Sequence, residues 1–151
     1  MPKYTCLFAH YNRANKISEY VYTYLKQLSA LDFHIVFISN SSIDNADRAI
    51  LQTIPLLYRI EQRENTGYDF GAWDWAIGRG LVSDDTDYLL LTNDSIFGPY
   101  SDMGVIFQQM LSRPGIDFWA LTDSYPEEWH LQTYFLCLSR KAFTSEAFRK
   151  I

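Results

Sequence analysis

The run at residues 88–92, Tyr-Leu-Leu-Leu-Thr, most constrains the fold because it shows no alternation of apolar and polar positions. A strand with one solvated face alternates, whereas a strand buried inside a parallel sheet is covered by helices on both faces and stays apolar throughout. Residues 88–92 are therefore predicted to form a central strand of a parallel sheet, with helices packed on each side of it.

Strand-like and helical patterns alternate on both sides of this run. Further strands are predicted at residues 4–9, 34–39, 57–60, 118–122 and 131–138. Apolar residues follow helical spacing at residues 17–31, 46–54, 70–77 and 103–111. The alternation predicts an α/β fold, a doubly wound, mostly parallel sheet with right-handed crossovers and helices on both faces. Ligands of such sheets bind in the crevice beyond the carboxyl ends of the strands.

Size and composition narrow the class of protein. A chain of 151 residues has the length of a single domain, and 48% hydrophobic residues are enough to form its core. The 13 scattered Lys and Arg residues and the net charge of -5 exclude a nucleic-acid-binding protein. We find no signal peptide or membrane-spanning run and expect a soluble cytoplasmic protein, in which Cys6 and Cys137 are buried free thiols.

A cluster of polar residues comes after each of four predicted strands, directly in three cases and after a short polar loop in the fourth. Asn, Asp, Ser and Gly are common in turns for backbone reasons alone, so one such cluster carries little information. Four clusters on one edge of a sheet indicate a ligand site. They are His10, Tyr11 and Asn12; Asn40, Ser41 and Ser42; residues 65–71; and Asn93, Asp94 and Ser95.

The stretch at residues 65–71, Asn-Thr-Gly-Tyr-Asp-Phe-Gly, is the most unusual of the four. Gly67 and Gly71 would allow the backbone to approach a ligand closely, and a helix N-terminus favours an anion such as a diphosphate. The alternative is a tight turn with Asp69 as the N-cap of the following helix. The residues alone leave both interpretations open.

Asp94 follows the central strand, where a carboxylate could coordinate Mg²⁺ or Mn²⁺ bound to the phosphates of a ligand. Asp84, Asp85 and Asp87 precede the same strand and therefore lie at its opposite end, so they are not counted as ligands. Asp123 follows the next strand and is a candidate general base, with turn capping as the alternative. His130 and Gln132 precede the last strand and are candidate contacts to an acceptor, with a structural role for His130 as the alternative.

Several other classes of α/β enzyme are excluded by absent motifs. The sequence has no Walker-type glycine loop, no dinucleotide-binding glycine fingerprint and no nucleophile-elbow serine. Three histidines and two separated cysteines also lack the spacing of a zinc site.

Four motifs follow one another along the chain. They are Glu-Asn-Thr-Gly-Tyr-Asp-Phe-Gly-Ala-Trp at residues 64–73, Leu-Thr-Asn-Asp-Ser-Ile-Phe-Gly-Pro at 91–99, Ala-Leu-Thr-Asp-Ser at 120–124, and His-Leu-Gln-Thr-Tyr-Phe at 130–135. Together these motifs resemble the rhamnan synthesis F family, and the resemblance covers roughly residues 4–150. That family is associated with building rhamnose-containing cell-wall and lipopolysaccharide glycans, and it is similar to GT-A glycosyltransferases related to the large family 2.

The resemblance implies a GT-A-like domain that binds a nucleotide-sugar. Residues 9–12 would border the nucleobase, and residues 65–71 would contact the nucleoside diphosphate. Asn93, Asp94 and Ser95 occupy the place of the usual Asp-x-Asp metal motif, with Asn93 and Ser95 in place of its two acids and Asp94 as the remaining carboxylate. The implied reaction transfers a deoxyhexose, rhamnose from a dTDP-linked donor, with inversion to a hydroxyl of a growing glycan or lipid-linked glycan at the inner face of the membrane.

The resemblance leaves the catalytic base open. In family 2 the base commonly follows the segment that aligns with residues 135–150, and this chain ends at Ile151. We therefore expect either a domain truncated at its C-terminal side or Asp123 in the role of the base. Arg63, Arg140 and Lys141 are possible partners for the diphosphate, but each is interpreted as a solvated surface residue.

Two other functions remain open. One is a non-catalytic sugar-nucleotide or glycan-binding module, consistent with the thinned metal motif. The other is a flavodoxin-like interaction domain in which Trp73, Trp75, Trp119 and Trp129 belong to the core or to an interface.

Overall fold

The chain forms a six-stranded sheet with helices on both faces, as predicted. The structure, a computed structural model, describes residues 1–96 and 102–150. The strands are β1 (Tyr4–His10), β2 (Phe33–Ser39), β3 (Leu57–Gln62), β4 (Tyr88–Asn93), β5 (Phe118–Ala120), β6 (Asp123–Ser124), β7 (His130–Leu131) and β8 (Phe135–Ser139). The helices are α1 (Glu19–Ala30), α2 (Asn45–Gln52), α3 (Tyr68–Gly78), α4 (Met103–Leu111), α5 (Arg140–Phe143) and α6 (Glu146–Arg149).

The strand order of the sheet is β3-β2-β1-β4-β8-β5, and β6 and β7 pair separately as a short antiparallel hairpin. The four strands from β3 to β4 are parallel, with Tyr4 of β1 opposite both Phe33 of β2 and Tyr88 of β4. The strand predicted at residues 88–92 is thus central and buried on both faces. The predicted mostly parallel α/β sheet is confirmed.

The last predicted strand differs from the prediction. Residues 131–138 were expected to form one strand, but they divide between β7 and β8, and β8 runs antiparallel between β4 and β5. A parallel strand needs a crossover connection, usually a helix. Residues 121–134 supply only the β6–β7 hairpin, so the chain returns in the opposite direction.

Alternate residues of the central strands supply two separate core layers. On one face, Phe8 of β1 and Phe37 of β2 stack with ring centroids 5.7 Å apart, and α1 covers them through Tyr24. On the other face, β1, β2 and β4 pack against Trp73 and its neighbours in α3. Because residues of one strand point alternately to the two faces, an uninterrupted apolar run is what this double packing requires.

Several further expectations can be compared with the packing. Cys6 and Cys137 are buried free thiols, as predicted. Trp73 and Trp119 belong to the core, whereas Trp129 is 54% exposed. No helix in residues 1–96 and 102–150 is long and apolar enough to cross a membrane.

Candidate functional site

The site is built where β1 and β4 end side by side at the carboxyl edge of the sheet. Strand order changes here, because β1 is followed in the chain by β2 on one side and β4 leads to β8 and β5 on the other. Ala9 pairs with Asn93, and the backbone N–H of Tyr11 donates to Oδ2 of Asp94 over 3.0 Å. Ligands of open α/β sheets bind at such a change in strand order. Tyr11 and Asp94, two of the predicted site residues, are therefore brought together.

Asp94 carries a largely buried carboxyl group, with 16% of its side chain exposed. Burial raises the pKa of Asp94 from an ordinary value of 3.8 to about 6. The N–H of Tyr11 opposes the rise because it stabilises the ionised form, and the charge of Asp69 adds to it. Strongly shifted carboxyl groups in clefts are concentrated at functional sites.

Asn93 holds a second carboxylate next to this one. Its Nδ2 donates to Oδ2 of Asp69 over 2.6 Å, and its Oδ1 accepts from the backbone N–H of Ser95 over 3.0 Å. Burial raises the pKa of Asp69, and the hydrogen bond from Asn93 opposes that rise. The alternative of Asp69 as a helix N-cap is wrong, because α3 begins one residue earlier and Gly67 is its N-cap.

His10 is a buried member of the site. Its side chain is 2% exposed, its Nδ1 is 2.9 Å from Oγ of Ser39, and its Nε2 lies 3.8 Å from Oδ2 of Asp94. Burial lowers the pKa of His10 to about 4, although a backbone hydrogen bond to Lys16 acts in the opposite direction. The ring is therefore neutral at neutral pH, and its contact with Asp94 is not an ion pair.

The stretch at residues 65–71 forms a tight turn that leads into α3. Gly67 has a φ of 75° and Tyr68 a φ of 52°, so two successive residues are left-handed, a conformation that glycine adopts at little cost. A Cβ on Gly71 would lie 2.1 Å from the carbonyl oxygen of Thr66. The turn's own backbone thus requires glycine at position 71, whatever ligand the turn contacts.

Arg63 connects this turn to the end of β2. Its backbone N–H donates to the carbonyl of Ser39 over 2.9 Å, and its guanidinium donates to Oδ1 of Asn40 and to the carbonyl of Thr66. Nδ2 of Asn40 in turn donates to the carbonyl of Tyr68 over 3.2 Å. The interpretation of Arg63 as a solvated surface residue is wrong, because its side chain is half-buried and engaged by the turn.

Arg140 and Lys141 lie at the opposite end of the sheet. They follow β8, whose last residue, Ser139, is opposite Tyr88 at the start of β4. Arg140 donates to the carbonyl of Asp84, and Lys141 forms an exposed ion pair with Asp117. Their interpretation as surface residues is confirmed.

An open cleft of about 520 Å³ borders the ends of β1, β2 and β3. Small-molecule sites are commonly of about 300–1,000 Å³, so the cleft has the volume for a nucleoside-sized ligand. Tyr11 and Asn12 were predicted as site residues, whereas Arg13, Asn15 and Gln62 were missed. Arg13 and Asn15 follow the end of β1, and Gln62 is the last residue of β3. The cleft is lined by Tyr11, Asn12, Arg13, Asn15, Asn40, Ser41, Ser42, Gln62, Arg63 and Glu64.

The remaining residues of the predicted site lie at its exposed rim. Asn65, Gly67, Tyr68 and Ser95 are exposed, and Tyr68 keeps 76% of its surface in solvent. The second sequence motif continues into residues 97–99, which lie outside the described residues.

The carboxylates of the site fit a divalent cation only in part. In residues 1–96 and 102–150, no group of three or more His, Cys, Asp or Glu side chains is arranged to hold a metal ion. Asp94 already accepts the N–H of Tyr11, and Asp69 accepts the amide of Asn93. Mg²⁺, however, is often bound by one or two carboxylates together with substrate phosphates. A single carboxylate such as that of Asp94 is therefore compatible only with a cation that other groups also ligate.

Asp123, His130 and Gln132 are brought together in the β6–β7 hairpin. Oδ2 of Asp123 accepts the indole N–H of Trp129 over 2.8 Å, and Nδ1 of His130 lies 3.1 Å from the carbonyl of Glu128. Oε1 of Gln132 accepts from the hydroxyl of Thr122 over 2.5 Å. The capping alternative for Asp123 is not what the structure shows, since its carboxylate bonds a side chain. Its role as a general base stays a prediction.

The four sequence motifs at residues 64–135 all lie in a region that matches a known family. The family model of rhamnan synthesis protein F matches residues 35–151, which is more than half of the chain. The chain belongs to the rhamnan synthesis protein F family. Its matched region contains the turn at residues 65–71, the end of β4 and the hairpin, whereas β1 lies outside it.

A relative of this rhamnan synthesis F chain extends well beyond its length. Uncharacterized protein y4gN of Sinorhizobium fredii strain NGR234 is 28% identical over 134 residues, which cover 86% of the chain and 34% of the relative. The chain thus spans about a third of the length of this relative. Since y4gN is itself uncharacterized, it adds no activity, and the description of the family names rhamnan synthesis but no reaction.

Gly71→Ala should lower the free energy of unfolding by about 1–3 kcal/mol, because its Cβ would meet the rigid backbone of Thr66. Gly78→Ala is the matched control in the same helix. It meets nothing within 4 Å and should be neutral or stabilising by up to about 1 kcal/mol. Urea unfolding followed by circular dichroism measures both, and equal stability of the two variants would contradict the steric account of the turn.

Asp94→Asn should stabilise the protein above pH 6. Folding raises the pKa of this carboxyl to about 6, so the folded state keeps the proton at pH values where the unfolded state has lost it. The free energy of unfolding of the parent protein therefore falls as the pH increases from about 4 to 6. At roughly 1.4 kcal/mol per pKa unit, the variant should gain up to about 3 kcal/mol at pH 8 and almost nothing at pH 4.

Thermal or urea unfolding at the two pH values measures this difference. The control is Asp74→Asn, an exposed carboxylate in α3, which should change stability by less than about 0.5 kcal/mol at either pH. An Asp94→Asn variant that is less stable than the parent at pH 8 would show that burial of the charge is not costly.

Proposed function

We propose that this rhamnan synthesis F chain is the donor-binding domain of a GT-A-like glycosyltransferase. It would take rhamnose from a dTDP-linked donor and transfer it to a hydroxyl of a growing cell-surface polysaccharide. The observation that carries the proposal is the buried carboxyl of Asp94 at the change in strand order, beside a polar cleft of nucleoside size. The family match supports the polysaccharide, and rhamnose is the sugar that it suggests.

The nucleoside would occupy the cleft beyond β1, β2 and β3, bordered by Tyr11 and Asn12. The diphosphate would then extend toward Asp94, the N-terminus of α3 and the guanidinium of Arg63. A helix N-terminus and a guanidinium both favour phosphate oxygens. Asp94 would contribute a ligand to a Mg²⁺ or Mn²⁺ ion bound with the diphosphate, and this cation would neutralise the departing phosphate.

Inverting transfer also needs a base that takes the proton of the acceptor hydroxyl as the sugar bond forms. In this proposal Asp94 binds the cation of the diphosphate, so it is not available as the base. Asp123 is then the carboxylate that would take the proton. Asp123 lies on the hairpin after β5, on the other side of Asp94 from the cleft. Donor and acceptor would therefore meet at the end of β4.

A second candidate function is a non-catalytic sugar-nucleotide or glycan-binding module of a rhamnose-glycan assembly. Two observations favour it. The Asp-x-Asp position retains one acid, and Oδ2 of Asp123 is already occupied by the indole of Trp129. A flavodoxin-like interaction domain is less well supported, because Trp73 and Trp119 lie in the core and only Trp129 is largely exposed among the four tryptophans.

The acceptor would be a glycan or a lipid-linked glycan. For a lipid-linked acceptor, the domain would work in the cytoplasm with peripheral association at the inner face of the membrane. These assignments rest on the family and on the expectation from sequence.

Isothermal titration with dTDP, dTDP-rhamnose and UDP, each with and without Mg²⁺ or Mn²⁺, tests donor binding directly. We expect preferential binding of the two dTDP ligands, strengthened by the cation. Asp94→Ala should weaken that binding at least about tenfold, equivalent to about 1.4 kcal/mol, and remove the effect of the cation. The control is Asp85→Asn, an exposed carboxylate at the opposite edge of the sheet, which should bind like the parent protein. If the parent protein binds none of the three ligands, the donor-site proposal is wrong.

A further inference from the structure

The β6–β7 hairpin presents two large aromatic side chains to solvent. Trp129 is 54% exposed and Tyr125 is 72% exposed, and only three residues separate them in the chain. Exposed Trp and Tyr side chains offer a large apolar face together with a polar group, and they are enriched where a protein contacts a partner or ligand. The hairpin therefore has the character of a contact surface.

The indole of Trp129 is held in one orientation. Its N–H donates to Oδ2 of Asp123 over 2.8 Å, and Asp123 is itself paired with Leu131 across the hairpin. An aromatic ring that is already fixed loses little conformational freedom when a ligand packs on it. The hydrogen bond uses the edge of the ring, so a ligand would pack on its face.

The hairpin and Asp94 lie at the same edge of the sheet. β5 and β4 are both antiparallel to β8, so they are parallel to each other, and the chain leaves both at the same edge of the sheet. The hydroxyl of Thr122 is 2.6 Å from that of Tyr134, whose carbonyl accepts from the hydroxyl of Thr92 over 2.9 Å. Thr92 precedes Asp94 by two residues. The nucleoside-sized cleft lies on one side of Asp94, and the hairpin lies on the other.

The charge of the hairpin limits what it can bind. Residues 122–132 contain Asp123, Glu127 and Glu128 and no Lys or Arg. Such a surface repels phosphates, nucleic acids and anionic lipid headgroups. A neutral sugar ring is compatible with it, because its C–H face packs on an aromatic ring and its hydroxyls donate to carboxylate oxygens. A 6-deoxyhexose adds a methyl group to the apolar part of such a contact.

We propose that Trp129 and Asp123 form a binding surface for the neutral glycan acceptor. This inference deepens the proposed function and rests on it, since a glycan bound here would lie beside Asp94 and the donor. Oδ2 of Asp123 fixes the indole in this inference, and this positioning role is additional to the role as base in the proposed function. Tyr125, which directly follows β6, is the second exposed aromatic side chain of the hairpin.

The test is a titration of the 151-residue chain with a rhamnose trisaccharide, followed through the four indole N–H resonances in ¹H–¹⁵N NMR spectra. Trp129→Phe assigns the resonance of Trp129. We expect the sugar to shift this resonance, and we expect Trp129→Ala to weaken binding at least about tenfold. Asp123→Ala should weaken binding as well, whereas Asp123→Asn keeps an oxygen for the indole N–H and should retain affinity within about twofold. The control is Tyr58→Ala, a residue 53% exposed near the opposite edge of the sheet, which should bind like the parent protein.

Three results would overturn the inference. One is equal affinity of the parent protein and Trp129→Ala for the trisaccharide. Another is a Trp129 resonance that shifts with protein concentration and not with added sugar, which would indicate an interface between proteins. The third is the absence of sugar binding in a protein that binds dTDP, which would leave the donor-site proposal intact. Loss of dTDP binding with retained sugar binding at Trp129 would instead reject the donor site and keep this surface.

Discussion

The hydrogen bond from the backbone N–H of Tyr11 to the carboxylate of Asp94 joins the ends of the two central strands. Burial of this carboxylate is unfavourable, and the pKa of about 6 expresses that cost. The N–H of Tyr11 limits this cost, whereas the charge of Asp69, which Asn93 binds, adds to it. A charge held in this way is typical of a site that exchanges some stability for function.

The rest of the sheet makes such a site possible. Its two core layers fix the strands, so the polar turns at the carboxyl edge are supported by rigid elements on both faces. Arg63 and Asn40 connect the end of β2 with the turn before α3, and that turn places Asp69 against Asn93. The cleft and the hairpin lie on opposite sides of this network, which suits a reaction between two ligands.

Sequence reasoning predicted the parallel sheet well, because residues 88–92 and the alternating patterns around them reflect burial on two faces. It placed Tyr11, Asn12 and Asp94 at one edge for the same reason. It did not predict the antiparallel β8, although the lack of a helical pattern between residues 122 and 131 was a usable signal. The roles of Arg63 and Trp129 depend on hydrogen bonds between residues that only the folded chain brings together. Residue type alone therefore indicated a solvated side chain for Arg63. For Trp129 it did not distinguish a position in the core from one at an interface.

The central claim, that the carboxyl edge around Asp94 binds a nucleoside diphosphate, is tested most directly by mapping backbone amide shifts on addition of dTDP with Mg²⁺. The account predicts that the amides of Tyr11, Asn12 and residues 66–69 shift together with that of Asp94, while residues 84–87 at the opposite edge remain unchanged. Shifts confined to the opposite edge, or absent around Asp94, would contradict it.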